Sequence, residues 1–240
     1  MNQLTAILFL LICSSACGKK EITPRNSSYM DSIPPVNGKK YHYLALGDSY
    51  TIGEQVPIGE NFPNQSAFFF KTDSFYAETR IIARTGWTTD ELVTGINAAI
   101  ALSPLRSQYD FVSLLIGVNN QYRGRTVENY RTEFEGLLVQ AIQFAGNRAN
   151  KVVVLSIPDW GVTPFAEGLD RTRIAREIDA YNAVNKEISI RYNVHYIDIT
   201  PWTREAATDR TLLAADGLHP SGKEYQRWAE RLSSWMRSSR

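Results

Sequence analysis

The pattern that organises the chain lies at residues 41–50, Tyr-His-Tyr-Leu-Ala-Leu-Gly-Asp-Ser-Tyr. Its first half alternates aromatic and aliphatic residues like a buried strand and breaks at Gly47 into polar residues. Further strands are expected at 75–83, 111–116, 151–157 and 194–199. The run Phe-Val-Ser-Leu-Leu-Ile at 111–116, ending in Gly117, reads as a fully buried parallel strand. Lys-Val-Val-Val-Leu-Ser-Ile at 151–157, closed by Pro158, is the most regular of the five. Helices are expected between them. One lies near 62–71, with Phe68, Phe69 and Phe70 assigned to the core. A second follows the turn Arg84-Thr85-Gly86-Trp87. It is opened by the capping-box spacing Thr88 to Glu91 and runs to about 101 with Leu92, Ile96 and Ala99 on one face. Others span 126–144, 170–192 and 221–237, and 200–218 reads as irregular. Strands alternating with helices predict an α/β fold with helices on both faces of a parallel sheet. Five strands joined this way make a flavodoxin-like three-layer α/β/α sandwich, and right-handed crossovers bring the strand ends to one edge.

With 240 residues the chain is long enough for one well-buried domain and little more. A net charge of +1 supplies no basic face, so no nucleic-acid partner is expected. Heptads, repeats and a phosphate-cradling glycine loop are absent from the sequence. Residues 4–12 are almost wholly apolar, too short to span a bilayer, and lead through Ser14, Ser15 and Ala16 to Cys17. That arrangement resembles the lipobox of bacterial lipoproteins, although the first residues carry no Lys or Arg and Ser14 stands where Leu is commonest. The resemblance implies that residues 1–16 are a signal peptide and that Cys17 is lipidated. The protein would then be exported and anchored to a bacterial membrane, in the periplasm or at the cell surface; a plain secretory peptide is the alternative. Residues 17–40, rich in Ser, Asn, Pro and Lys, read as a flexible tether spanning roughly 25 Å, and 41–240 as the folded domain. An arm packed on the domain is the other reading of that segment. Of the two cysteines, Cys13 would leave with the signal and Cys17 would carry lipid. Cysteine nucleophiles, CxxC redox chemistry and thiolate zinc sites are then excluded together.

Ser49 stands just past the C-terminal end of the first strand, where open α/β sheets bind their ligands, and is the candidate nucleophile. Serine needs a base within hydrogen-bond reach, and the chain has three histidines. His42 precedes the first predicted strand and His195 lies within the fifth, so both read as ordinary sheet or surface residues. His219 sits in the turn-forming stretch Asp216-Gly217-Leu218-His219-Pro220. A carboxylate three residues before a histidine in such a turn can bond its Nδ1 and leave Nε2 as the base. Taken alone, Asp-x-x-His is also an incidental turn or half of a metal site, with Asp48, Asp216 and His219 as the ligand set. A non-catalytic protein that binds carbohydrate or a partner through the same cleft is a third reading. Asp48 is expected to bond nearby backbone N–H groups and shape the turn. Trp87 and Trp160 either line a pocket or pack, Tyr50 edges the cleft or lies beneath it, and Arg123 and Arg125 read as solvated loop charge.

Taken jointly, Gly47-Asp48-Ser49-Tyr50-Thr51, Gly86, Gly117-Val118-Asn119-Asn120 and Asp216-Gly217-Leu218-His219-Pro220 resemble, in order and placement, the blocks of the GDSL/SGNH hydrolases. The resemblance covers residue 41 to the C-terminus. The Gly-x-Ser-x-Gly elbow of the α/β-hydrolases is absent, which disfavours that other serine-hydrolase fold. What the resemblance implies is an esterase in which Ser49 attacks, His219 is the base and Asp216 orients it. The oxyanion would be held by the backbone N–H groups of Ser49 and Gly86 and the side-chain amide of Asn119. No cofactor and no metal are implied. The expected partner is a small-molecule or polysaccharide ester, with a short acyl or carbohydrate O-acetyl group favoured over lysophospholipid or thioester substrates.

Overall fold

The computed structural model describes residues 38–240. The expected signal peptide, Cys17 and the tether as far as residue 37 lie outside the described residues. The alternation at the start of the domain forms strand β1 (Lys39–Asp48), with every position from Tyr43 onward buried. β1 starts two residues before the apolar pattern does. Lys39 and Lys40 pair with Phe75 and Tyr76 of β2 (Phe75–Arg84), and their ammonium groups lie over the rings of Tyr41 and Tyr76. Their stems thus cover aromatic surface at a sheet edge that charge alone reads as linker. His42 consequently lies inside β1 rather than ahead of it.

Strands β3 (Phe111–Leu115) and β4 (Val152–Leu155) are buried at every position, and β5 (His195–Ile197) closes the sheet. All neighbours pair in parallel, in the order β2-β1-β3-β4-β5. That order sets the layers. The chain steps from β1 to β2 in one direction, then returns past β1 to β3, β4 and β5 in the other. Right-handed crossovers put the helix of the first step on one face and those of the later steps on the opposite face. Short helices α1 (Ser49–Ile52), α4 (Val118–Tyr122) and α7 (Thr200–Arg204) lead off from the ends of β1, β3 and β5. The longer helix α2 (Phe62–Phe70) packs with the C-terminal α8 (Gly222–Ser238). Helices α3 (Thr89–Leu102), α5 (Val127–Phe144) and α6 (Arg171–Arg191) pack side by side. The result is the three-layer α/β/α sandwich with a five-stranded parallel sheet that the sequence predicts.

Helix ends follow their caps. Thr126 accepts from the N–H of Asn129 and Asp170 from that of Arg173, so α5 and α6 begin one residue inside the predicted spans. The expectation for Phe68–Phe70 is corrected. Phe70 is fully buried against Tyr41, Phe75 and Phe111, whereas Phe68 is 73% exposed, because consecutive helical residues point in different directions. Within 200–218, α7 and short 3₁₀ turns at Glu205–Ala207 and Arg210–Leu212 replace the irregular stretch.

Candidate active site

The cleft opens where the chain's direction across the sheet reverses, between the C-terminal ends of β1 and β3, the place where open α/β sheets hold ligands. At the end of β1 the backbone must turn sharply into α1. Gly47 permits it, since a Cβ there would collide with the Thr51 side chain and with the carbonyl of Leu115 on β3. Asp48 caps α1, its Oδ1 accepting the Tyr50 N–H at 3.0 Å, as the sequence reading expects. Its other oxygen is buried without a partner, and desolvation pushes the carboxyl up to about 7, against the opposing pull of the Tyr50 N–H. Ser49 is the first residue of α1, in the turn whose N–H groups have no partner within the helix.

The last loop supplies the groups that face Ser49. Asp216 Oδ1 accepts the backbone N–H groups of Leu218 and His219, each at 3.0 Å, and folds the Asp-x-x-His turn tightly. The same carboxylate reaches the ring: Asp216 Oδ2 and His219 Nδ1 are 2.6 Å apart. His219 Nε2 lies 2.9 Å from Ser49 Oγ. Burial raises the Asp216 carboxyl, but the bonds from the His219 ring and the two backbone N–H groups outweigh it and hold the group below its ordinary value. An ionised carboxylate only accepts, so Nδ1 is the donor in that bond, and when the ring is neutral Nε2 is the nitrogen that accepts from the Ser49 hydroxyl. Tyr50 packs beside the imidazole with ring centroids 4.9 Å apart and is itself buried. The arrangement can draw the hydroxyl proton of Ser49 onto a neutral imidazole backed by a fixed carboxylate.

Gly86 and Asn119, the other expected site residues, line the same cleft as Ser49 and His219. Gly86 has φ of +83°, a left-handed conformation that glycine adopts without strain. Asn119 sits in α4, and its amide Nδ2 donates to the Trp87 carbonyl at 3.0 Å, which uses one of its two N–H bonds and leaves the other. The ligand set considered for a metal does not converge: Asp48 is turned to its cap and both ring nitrogens of His219 are engaged. Among the described residues no cluster of three or more His, Cys, Asp and Glu side chains has the geometry of a metal site.

The tryptophans divide. Trp87 packs over Gly95, whereas Trp160 lines the cleft, fixed by a 2.7 Å bond from its Nε1 to Gln121 Oε1. Tyr122 and Phe165, 55% and 47% exposed, stand against Trp160 at centroid distances of 5.3 and 6.0 Å. These two were missed in the sequence. Nothing in their spacing marks them, because the corner exists only where the loops after β3 and β4 meet. Arg123 and Arg125 are not free loop charge: Arg125 pairs with Asp90, and Arg123 binds Glu91 and the Gly86 carbonyl. The cavity measures ≈ 190 Å³.

The profile of the GDSL-like Lipase/Acylhydrolase family matches residues 45–227. Among solved structures, the chain is similar to TesA (16% identity, 83% of this chain and 99% of that one, TM-score 0.63). It is also similar to Axe2, an acetylxylan esterase from Geobacillus stearothermophilus (19%, 83% and 95%, TM-score 0.61). A third is the psychrotrophic esterase EstA from Pseudoalteromonas sp., in a structure inhibited by monoethylphosphonate (17%, 83% and 96%, TM-score 0.58). At these identities the likeness is one of fold. No curated protein matches the sequence.

Proposed function

This chain belongs to the GDSL-like lipase/acylhydrolase family, enzymes that hydrolyse ester bonds, and we propose that it does so as a serine esterase through an acyl-enzyme. One observation carries the reading: Ser49 Oγ, His219 and Asp216 stand in line at 2.9 and 2.6 Å. His219 Nε2 takes the proton of Ser49 as Oγ adds to the ester carbonyl. The tetrahedral oxygen, now negative, is met by the N–H groups of Ser49 and Gly86 and the free amide N–H of Asn119. The imidazolium returns its proton to the leaving alcohol, and water then repeats the sequence on the acyl-enzyme and frees Ser49.

The preferred substrate is an ester of a short acyl group, carbohydrate O-acetyl included. A cavity of ≈ 190 Å³ is smaller than the about 300–1,000 Å³ of pockets for drug-sized ligands. The acetylxylan activity named for Axe2 is consistent with that choice. A longer acyl chain, as in a lysophospholipid or thioester, is the second reading, favoured by the exposed rings of Tyr122 and Phe165 at the rim. Hydrolysis of p-nitrophenyl esters from acetyl to long-chain separates them. The short esters should turn over fastest, and Ser49→Ala should lose about 10⁴-fold. Activity that survives Ser49→Ala and disappears on chelation would replace the serine mechanism with a metal one. The proposed setting is a lipid-anchored exported protein, supported by the stretch ending at Cys17. Incorporation of a labelled fatty acid that Cys17→Ser abolishes is the expected result, and unlabelled protein would remove the anchor.

A further inference from the structure

The three expected oxyanion donors come from two strand ends and the turn after a third: Ser49 after β1, Gly86 after β2 and Asn119 after β3. Gly86 is the least constrained of them by its own chemistry, a glycine in a left-handed conformation at a half-buried turn. Yet residues 85–88 are anchored one after another. The Thr85 hydroxyl bonds Glu54, just past the nucleophile's helix. The Gly86 carbonyl accepts from Arg123 Nη2 at 2.6 Å, and the Trp87 carbonyl from Asn119 Nδ2 at 3.0 Å. The Thr88 N–H donates to Glu91 at 2.9 Å. Arg123 closes this chain of contacts, since its Nη1 also binds Glu91 Oε1 at 3.1 Å. Its own N–H donates to the Asn119 carbonyl at 3.0 Å at the end of α4, so one short helix carries both Asn119 and the guanidinium that grips Gly86.

We propose that Arg123 is a positioning residue: it latches the Gly86 peptide to the Asn119 helix so that the oxyanion donors keep one geometry. The proposal rests on the serine-esterase reading of the same cleft. The guanidinium suits the task because its planar fork grips a carbonyl and a carboxylate at once, which a lysine ammonium on a flexible stem does not do with the same geometry. The latch is half exposed, so its loss exposes groups that water can solvate and leaves the fold intact. Catalysis is more sensitive, because a donor displaced by an ångström acts on the transition state and not on the ground state.

The test is steady-state kinetics on p-nitrophenyl acetate with Arg123→Met and Arg123→Lys, alongside Ser49→Ala and inhibition by phenylboronic acid, a reversible tetrahedral mimic. For Arg123→Met the expected fall in kcat is about 10- to 100-fold, with KM within about threefold and the melting temperature within about 3 °C. Phenylboronic acid should weaken by a factor that tracks kcat/KM, added guanidinium should restore part of the rate, and Arg123→Lys should fall between the two. Unchanged kcat in Arg123→Met, or a rise in KM alone, would overturn the latch; the second would make Arg123 a substrate contact. Ser49→Ala keeps the two claims apart. An inactive Ser49→Ala with a wild-type Arg123→Met rejects only the latch, whereas an active Ser49→Ala rejects the reading beneath it.

Discussion

An imidazole can serve Ser49 only through a nitrogen that carries no proton, and in the proposed mechanism Asp216, 2.6 Å from Nδ1, sets which nitrogen that is. In Asp216→Asn the side-chain oxygen can keep its bonds to the N–H groups of Leu218 and His219, so the turn should persist. The new amide, however, can donate to Nδ1 and turn the Nε2 proton toward Ser49. A fall in kcat of about 10²–10⁴ with a near-normal melting temperature is expected; a wild-type rate would show that Asp216 does not orient the ring. Asp48 gives a prediction about stability. Its carboxyl is pushed from an ordinary 3.8 to about 7 by burial. Between those two pH values the folded protein holds a proton that the unfolded chain has lost, so this group makes stability fall as pH rises through the window, and its full cost is present above about pH 7. Asp48→Asn keeps a capping oxygen and removes the charge. The variant should therefore gain on the wild type in denaturant melts at pH 8 compared with pH 4, and an equal difference at both would place the ionisation elsewhere. Ser49, His219 and Asp216 were readable as a candidate set because each lies in a short local pattern. The Arg123 grip on Gly86 was not, because its partners are brought together by the crossing of two loops and share no pattern in the sequence.

At the scale of elements, the junction of β1 and α1 carries the tightest constraint. Gly47 faces the Leu115 carbonyl on the central strand and the Thr51 side chain, neither of which can move without shifting β3 or α1. Gly47→Ala should cost about 1–3 kcal/mol, read as a drop in melting temperature of roughly 3–10 °C for a domain of this size. An unchanged melt would mean that the turn yields at no cost. The longer helices whose starts carry a Thr or Asp cap, α3, α5 and α6, were legible almost to the residue, because the cap is itself a sequence feature. Other boundaries were hidden. β1 extends back through Lys39 and Lys40, where cationic residues lie over aromatic rings, and in α2 a run of three phenylalanines contains one core residue and one that is largely exposed. Periodicity reads burial from composition, and in both places composition and geometry part.

At the scale of the whole molecule, the sheet order puts the cleft at the reversal between β1 and β3, and the loop before α8 brings His219 back across 170 residues to Ser49. The alternation of strands and helices was enough to predict this layered fold, since handedness leaves few ways to connect it. The cleft's walls were not predictable in the same way. Tyr122, Trp160 and Phe165 meet only after the loops beyond β3 and β4 are folded, so the cleft's apolar wall emerges from the assembled structure. If Ser49 Oγ forms the covalent intermediate, intact mass after treatment with an activated alkylphosphonate ester, followed by peptide mapping, will locate it. The expected result is one phosphonyl group per chain, located on Ser49, with simultaneous loss of esterase activity and no labelling of Ser49→Ala. Full activity without a mass change, or a label that persists in Ser49→Ala, would contradict it.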